Sequence, residues 1–151
     1  MAQGISVALP LSVDSTDGAY KLHKNITDMA SQNLKMVILT SPGERIMIPE
    51  FGVGIKRFLF EPNTEGTRER IKNRIQQQVQ RYLPYIDLIS LDLFRPQSSV
   101  VGEADESGLV IRLKYSVPSA NVVSELVVDA ATGASTSTGG GGSSTGGGGG
   151  Y

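Results

Sequence analysis

The sequence predicts an α+β fold, with two main helices packed on a small antiparallel three-stranded sheet. Two segments, about 25–40 and 64–83, repeat their apolar residues at helical spacing. Three later runs, 86–94, 109–117 and 122–128, alternate in polarity or concentrate β-branched residues, and only a tight turn separates the last two. Helices first and strands after, with a short final link, favour helices on one face of an antiparallel meander over the strand–helix alternation of a parallel sheet.

Residues 1–20 form an arm in which Pro10 and the turn-rich cluster from Asp14 to Gly18 precede the domain proper, at 21–131. The first helix follows Asn25, a residue type whose side-chain oxygen can accept from an orphan amide at a helix start. Ile26, Met29, Ala30, Leu34, Val37 and Ile38 make its apolar stripe, and Pro42-Gly43 stops it. Residues 41–63 hold three prolines and three glycines yet also Ile46, Met47, Ile48, Phe51, Phe58, Leu59 and Phe60, so this loop must pack on the core or on a partner. An extended stretch is expected at Glu44–Ile48 and a helical turn at Ile55–Leu59. In the second helix Ile71, Ile75, Val79 and Tyr82 share one stripe, Arg70, Arg74 and Arg81 flank it as a basic ridge, and Pro84 ends it. The first strand places Ile89, Leu91 and Leu93 on one face. The second turns Leu109, Ile111, Leu113, Tyr115 and Val117 inward. The link Arg95–Gly108 is polar and acidic. Residues 132–151 hold ten of the 18 glycines and no Val, Ile, Leu or Phe, and read as a flexible Gly/Ser-rich tail.

Composition narrows the function. The chain has 151 residues, with 14 Lys+Arg against 15 Asp+Glu and a formal net charge of -1. That balance carries no global signal for nucleic acid or a membrane surface. No run is long and apolar enough to span a bilayer, and the N-terminus lacks the basic region of a secretory signal. Without cysteine there is no disulfide, thiolate ligand or cysteine nucleophile. His23 is the single histidine and has no triad or metal-site companions, so a packing or surface role is expected and no cofactor is implied.

Phe51-Gly52-Val53-Gly54 contains a G-x-G, but Arg57 stands where a dinucleotide fingerprint needs its third glycine. The reading preferred for these glycines is a tight loop with positive φ or close backbone approach. Glu44, Glu50 and Glu61 are the carboxylates from which a glycosidase pair could be drawn. The basic ridge fits either a solvated helix face or contact with an acidic protein surface. Val122–Val128 is rich in β-branched residues, carries one charge and lacks proline. At a sheet edge it would suit strand addition to a partner, unless a helix or the arm covers it.

The stretch from Asn33 to Leu93 resembles the GPW/gene-product-25 family of baseplate wedge proteins from contractile phage tails. Its most specific elements are Leu39-Thr40 leading into Pro42-Gly43-Glu44-Arg45, then Pro49-Glu50-Phe51-Gly52 with Gly54, then Leu59-Phe60-Glu61 and the helix ending in Tyr82-x-Pro84. The resemblance implies a non-enzymatic structural subunit without cofactor, assembled in the host cytoplasm into the tail baseplate of the virion. Its partners would be other baseplate wedge proteins, the tail sheath protein and the tube. It implies further that Val122, Val123, Leu126, Val127 and Val128 face the sheath and template its assembly by strand exchange. Where the family carries Glu-Pro-Arg after the second helix, a motif that docks on the wedge, this chain has Leu83-Pro84-Tyr85. Only the proline is kept, so docking there would be apolar or aromatic. The same resemblance extends to type VI secretion and other contractile injection baseplates, and a tail-associated peptidoglycan-cleaving enzyme is the rival from a different class.

Overall fold

A computed structural model of the chain describes residues 4–13, 15, 18–62, 64–94 and 108–139. The acidic link at 95–107 and the glycine-rich residues 140–151 lie outside the described residues. The element order is β1 (Ser6–Val7), β2 (Leu22–His23), α1 (Ile26–Leu39), α2 (Ile55–Phe58), α3 (Glu65–Tyr82), β3 (Asp87–Phe94), β4 (Val110–Val117), a 3-10 turn (Pro118–Ala120), β5 (Val122–Asp129) and β6 (Ser135–Gly139).

β1 and β2 pair as a small antiparallel ribbon, and β3-β4-β5-β6 form an antiparallel four-stranded sheet in chain order. The expectation of three strands is therefore corrected, because the start of the supposed tail folds back as β6. Local chemistry explains the return. Asp129 accepts from the Ala131 amide at 2.9 Å and the Thr132 hydroxyl at 2.8 Å. Gly133 then adopts φ 70, a left-handed conformation that costs glycine little. Alternating Ser and Thr from Ser135 to Thr138 continue as a strand whose Ser137 opposes Leu126.

One core joins the layers. Ala30, Leu34, Val37 and Ile38 of α1, Ile71, Ile75 and Val79 of α3, and Ile111, Leu113, Tyr115, Val117, Leu126 and Val128 of the sheet are buried together. Each large apolar side chain buried this way contributes about 1.5–3 kcal/mol. Tyr115 is fully buried, and its hydroxyl lies 2.6 Å from Ser31 Oγ, which ties β4 to α1. Burial raises the Tyr115 pKa, partly offset by that hydrogen bond.

Two local expectations change. Asn25 occupies the N-cap of α1 without bonding the backbone; its side-chain amide instead donates to Asp28 at 3.3 Å. Thr64 caps α3, its hydroxyl accepting from the Thr67 amide at 3.2 Å. In β3 the register shifts between Leu88 and Ser90. That bulge turns Ile89 out to 57% exposure, and Leu88 packs beside Leu91 and Leu93 in its place.

Candidate functional site

The loop between α1 and α2 carries the densest set of sequence signals, and it is clasped by α3. Residues 44–48 run as turns and bends, not as the extended stretch expected from the sequence. The Gly43 amide donates to the Pro49 carbonyl at 2.8 Å, and the Glu44 carboxylate accepts from the Ser41 amide at 2.9 Å. Further along, the chain turns inward and Phe51, Val53 and Ile55 enter the core. Gly52, at φ 100, passes so close to Thr40 that a Cβ would collide with its carbonyl oxygen. Gly54, at φ 69, caps α2, and a Cβ there would sit 2.8 Å from Pro42 Cδ. The two glycines of the G-x-G thus serve close backbone approach and positive φ.

Helix α3 secures this path with polar side chains. Buried Gln78 accepts from the Gly52 amide at 2.8 Å and donates to the Glu50 carbonyl at 3.2 Å. The three arginines of the ridge reach the loop and its sequel. Arg70 pairs with Glu61 at 2.7 Å, Arg74 donates to the Gly52 carbonyl at 3.4 Å, and Arg81 pairs with Glu50 at 2.7 Å. Each arginine of the ridge thus has a partner within the chain, while the side chains of Arg70 and Arg81 stay 64% and 60% exposed. Arg45 lies 3.9 Å over the Phe51 ring, and Phe51 meets Tyr82 edge to face at 4.9 Å. The loop's outer tip remains bare, with Ile46 92% and Met47 90% exposed, and Phe60 beyond α2 is 91% exposed.

Of the turn Leu83-Pro84-Tyr85, Leu83 is a core residue at the C-cap of α3 and offers nothing to a partner. Tyr85 is half-buried and its hydroxyl accepts from Asn33 at 2.8 Å. Pro84 alone is exposed. The strand Val122–Val128 also differs from expectation. It lies inside the sheet, paired with β4 along its whole length and with β6 from Ser124 to Val128. Leu126 and Val128 are buried, Val122 and Val127 are half-buried, and Val123 is exposed. Among the described residues it is β6 that pairs with its outer side, at Ser124–Val128, and β6 has β5 as its single neighbour in the sheet.

The edge of β6 has a definite polarity. The Asp129 amide donates to the Ala134 carbonyl at 2.9 Å, which fixes that pair as hydrogen-bonded. By the alternation of an antiparallel ladder, Thr136 and Thr138 direct their backbone groups to β5. Ser135 and Ser137 direct theirs away from the sheet. The arm stands across from this edge, held to α1 by Gln32. That side chain accepts from the Leu9 amide at 2.7 Å, donates to the Val7 carbonyl at 3.0 Å and lies 2.9 Å from His23 Nε2. His23 thus has the packing role expected of it.

Among the described residues no three His, Cys, Asp or Glu side chains come together to hold a metal ion, and no helix is long and apolar enough to cross a membrane. Glu44, Glu50 and Glu61 each bind a different group of the chain itself. Sequence reasoning missed Gln78 and Gln32, two amides that organise the loop and the arm. Their signal was faint, since a glutamine on a helix flank looks solvated until its partner is known.

Fold and surfaces define a class: a small α+β domain that holds a loop against one helix and, among the described residues, leaves the outer edges of β3 and β6 without a further strand. The family model of baseplate wedge protein gp25 matches residues 25–122, and the chain belongs to that family. It is 30% identical over 81 residues to baseplate wedge protein gp25 of Enterobacteria phage T4, a stretch covering 54% of this chain and 56% of that relative, so the chain spans little more than half of its length. A Geobacter sulfurreducens crystal structure with a provisional tail-lysozyme name superposes with a TM-score of 0.58 at 27% identity, over 72% of this chain and 93% of that one. A chain of the anti-feeding prophage baseplate superposes with a TM-score of 0.61 at 26% identity, over 74% and 82%.

Proposed function

We propose that this chain is a structural wedge subunit of a contractile-tail baseplate, and that it starts sheath assembly by offering the free edge of β6 to an incoming strand. Family membership supports the baseplate role. The observation that carries the finer reading is the edge at Ser135–Gly139, which has no further strand among the described residues. The opposite edge, β3, is a poorer template because its bulge at Leu88–Ser90 interrupts the regular ladder that strand addition needs. β6 is regular across its five pairs and has small side chains. The sheath-facing role expected of Val122–Val128 passes in this reading to β6, with β5 as its support.

The joint to the rest of the wedge rests on Pro84 and the exposed rim of Tyr85, because Leu83 is committed to the core. Neighbouring wedge proteins and the sheath are the proposed partners, and the tail baseplate of a virion the proposed location. Likeness to the anti-feeding prophage baseplate extends the same role to contractile injection machines.

Ser137→Pro tests the template. The amide of Ser137 points away from β5, so proline removes an outward donor and leaves the β5–β6 ladder intact. The expected result is a folded subunit that enters baseplates but starts no sheath. Full-length sheathed tails from this variant would refute strand addition at β6. Thr136→Pro, which breaks the inner ladder, is the control for simple misfolding.

A further inference from the structure

The edge of β6 borders a groove of about 540 Å³ whose walls are the arm, the flank of α1 and the helix-facing side of β5–β6. Three features of this groove bear on what enters it. Ser135 and Ser137 stand opposite Val128 and Leu126, so they share the helix-facing side of the sheet. They fill little of it, and the groove is room left by two short side chains where the rest of that face is packed with large apolar ones. The same serines turn their backbone groups outward, as derived above, so a strand laid along β6 would alternate its side chains between solvent and this groove. Finally, Lys21 of the arm and Lys35 of α1 both line the groove, and neither ammonium has a carboxylate partner among the described residues. The counter-charge present is Asp28, which accepts from Asn25. His23 has its Nε2 engaged by Gln32.

We infer that Lys21 and Lys35 select an incoming strand by a carboxylate: the partner segment is extended, pairs with Ser135–Gly139, and carries an Asp or Glu on the side facing the groove. This rests on the reading of β6 as a strand template and adds its specificity. The groove's lining is mixed, with Ala8, Leu9, Pro10 and Leu126 beside Lys21, Lys35 and Asp28, so its excess positive charge is what distinguishes one partner side chain from another. A basic one would add a third cation. A single carboxylate between two lysines completes the charge balance of the groove. The arm thereby gains a role: Gln32 fixes it to α1 and so sets the position of Lys21 across from the sheet edge.

The test uses the full chain and two blocked nine-residue peptides of alternating threonine and valine. They differ at the central residue, glutamate in one and glutamine in the other. Titration at low salt is expected to give about five- to tenfold tighter binding of the glutamate peptide. Lys21→Ala/Lys35→Ala should remove that preference while the glutamine peptide binds as before, and Ser137→Pro should abolish binding of both. Equal affinity for the two peptides, with both lost in Ser137→Pro, would overturn the carboxylate selection and leave the strand template standing. Binding that survives Ser137→Pro, or no binding of either peptide to the full chain, would overturn both.

Discussion

Gly43 and Gly52 offer a matched pair of perturbations, because both have positive φ, 93 and 100, and differ in what surrounds them. A Cβ at Gly43 meets nothing within 4 Å, whereas at Gly52 it runs into the carbonyl of Thr40. Gly43→Ala therefore isolates the backbone term, about 1–2 kcal/mol for an L-residue forced into the left-handed region. Gly52→Ala carries that term and more. To relieve the clash, either Thr40 or the 52 backbone must move. The Thr40 carbonyl accepts from the Gly54 amide at 2.9 Å, and the Gly52 amide is held by Gln78 at 2.8 Å. Loss of these two bonds adds about 0.5–1.5 kcal/mol each, for a total of about 2–5 kcal/mol. Urea unfolding of the two variants and the parent, with a common m-value, reads the difference directly. Equal destabilisation by the two substitutions, or a cost below about 1 kcal/mol for Gly52→Ala, would refute the claim that close approach at Thr40 fixes this loop.

Two further outcomes are open to simple measurement. The hydrogen bond from the Thr132 hydroxyl holds the Asp129 carboxyl below its ordinary pKa, with the Ala131 amide adding to the effect. The folded state thus binds fewer protons there, and the stability this gives is present above the unfolded aspartate value and lost as pH falls through the lowered one. The gap in urea midpoint between the parent and Asp129→Ala should be widest near neutral pH and should close in acid; a gap that widens in acid would contradict the turn's electrostatics. Because Glu50 and Glu61 are tied to Arg81 and Arg70, purified protein is expected to leave the turbidity of a cell-wall suspension unchanged. Clearing that disappears in Glu50→Gln or Glu61→Gln would install the enzyme reading suggested by the Geobacter relative's name.

The two long helices were legible because their signals are local. Period-3.6 apolar residues define α1 and α3, Thr64 caps the second, and Pro84 closes it. Strand β4 was equally plain, with all five predicted inward residues buried. The misses share a cause, namely partners distant in sequence. Val122–Val128 has the composition of an edge seeking a partner, but its partner is the chain itself, thirteen to fifteen residues on at the far end of the pairing. Ser-Thr-Ser-Thr resembles linker by composition, and the signal that could have corrected this was the turn chemistry before it, Asp129 followed by Gly133. Ile89 was placed inward by strict alternation, which a bulge voids. The partners of Arg81 and Arg74, Glu50 and Gly52, lie more than twenty residues upstream, so the sequence does not show them.

The division between engaged and unengaged groups says which part of this molecule is finished. In the family-motif loop, Gly43, Glu44, Arg45, Glu50, Phe51, Gly52 and Gly54 make contacts with each other, with Thr40 and Ser41 or with α3, so their close spacing in sequence reflects one folded unit. An isolated surface ion pair such as Arg81–Glu50 adds at most about 1 kcal/mol, so the loop's rigidity comes chiefly from buried Gln78 and the apolar residues Phe51, Val53 and Ile55. The β6 edge is the opposite case. Among the described residues its outward backbone groups meet no other strand, its serines border a groove, and Lys21 and Lys35 beside it have no carboxylate partner. A free sheet edge is ordinarily blunted by bulges, charges or cover because it invites association. Here a bulge interrupts β3 and the regular ladder is left at β6, an asymmetry in keeping with the template role proposed for β6.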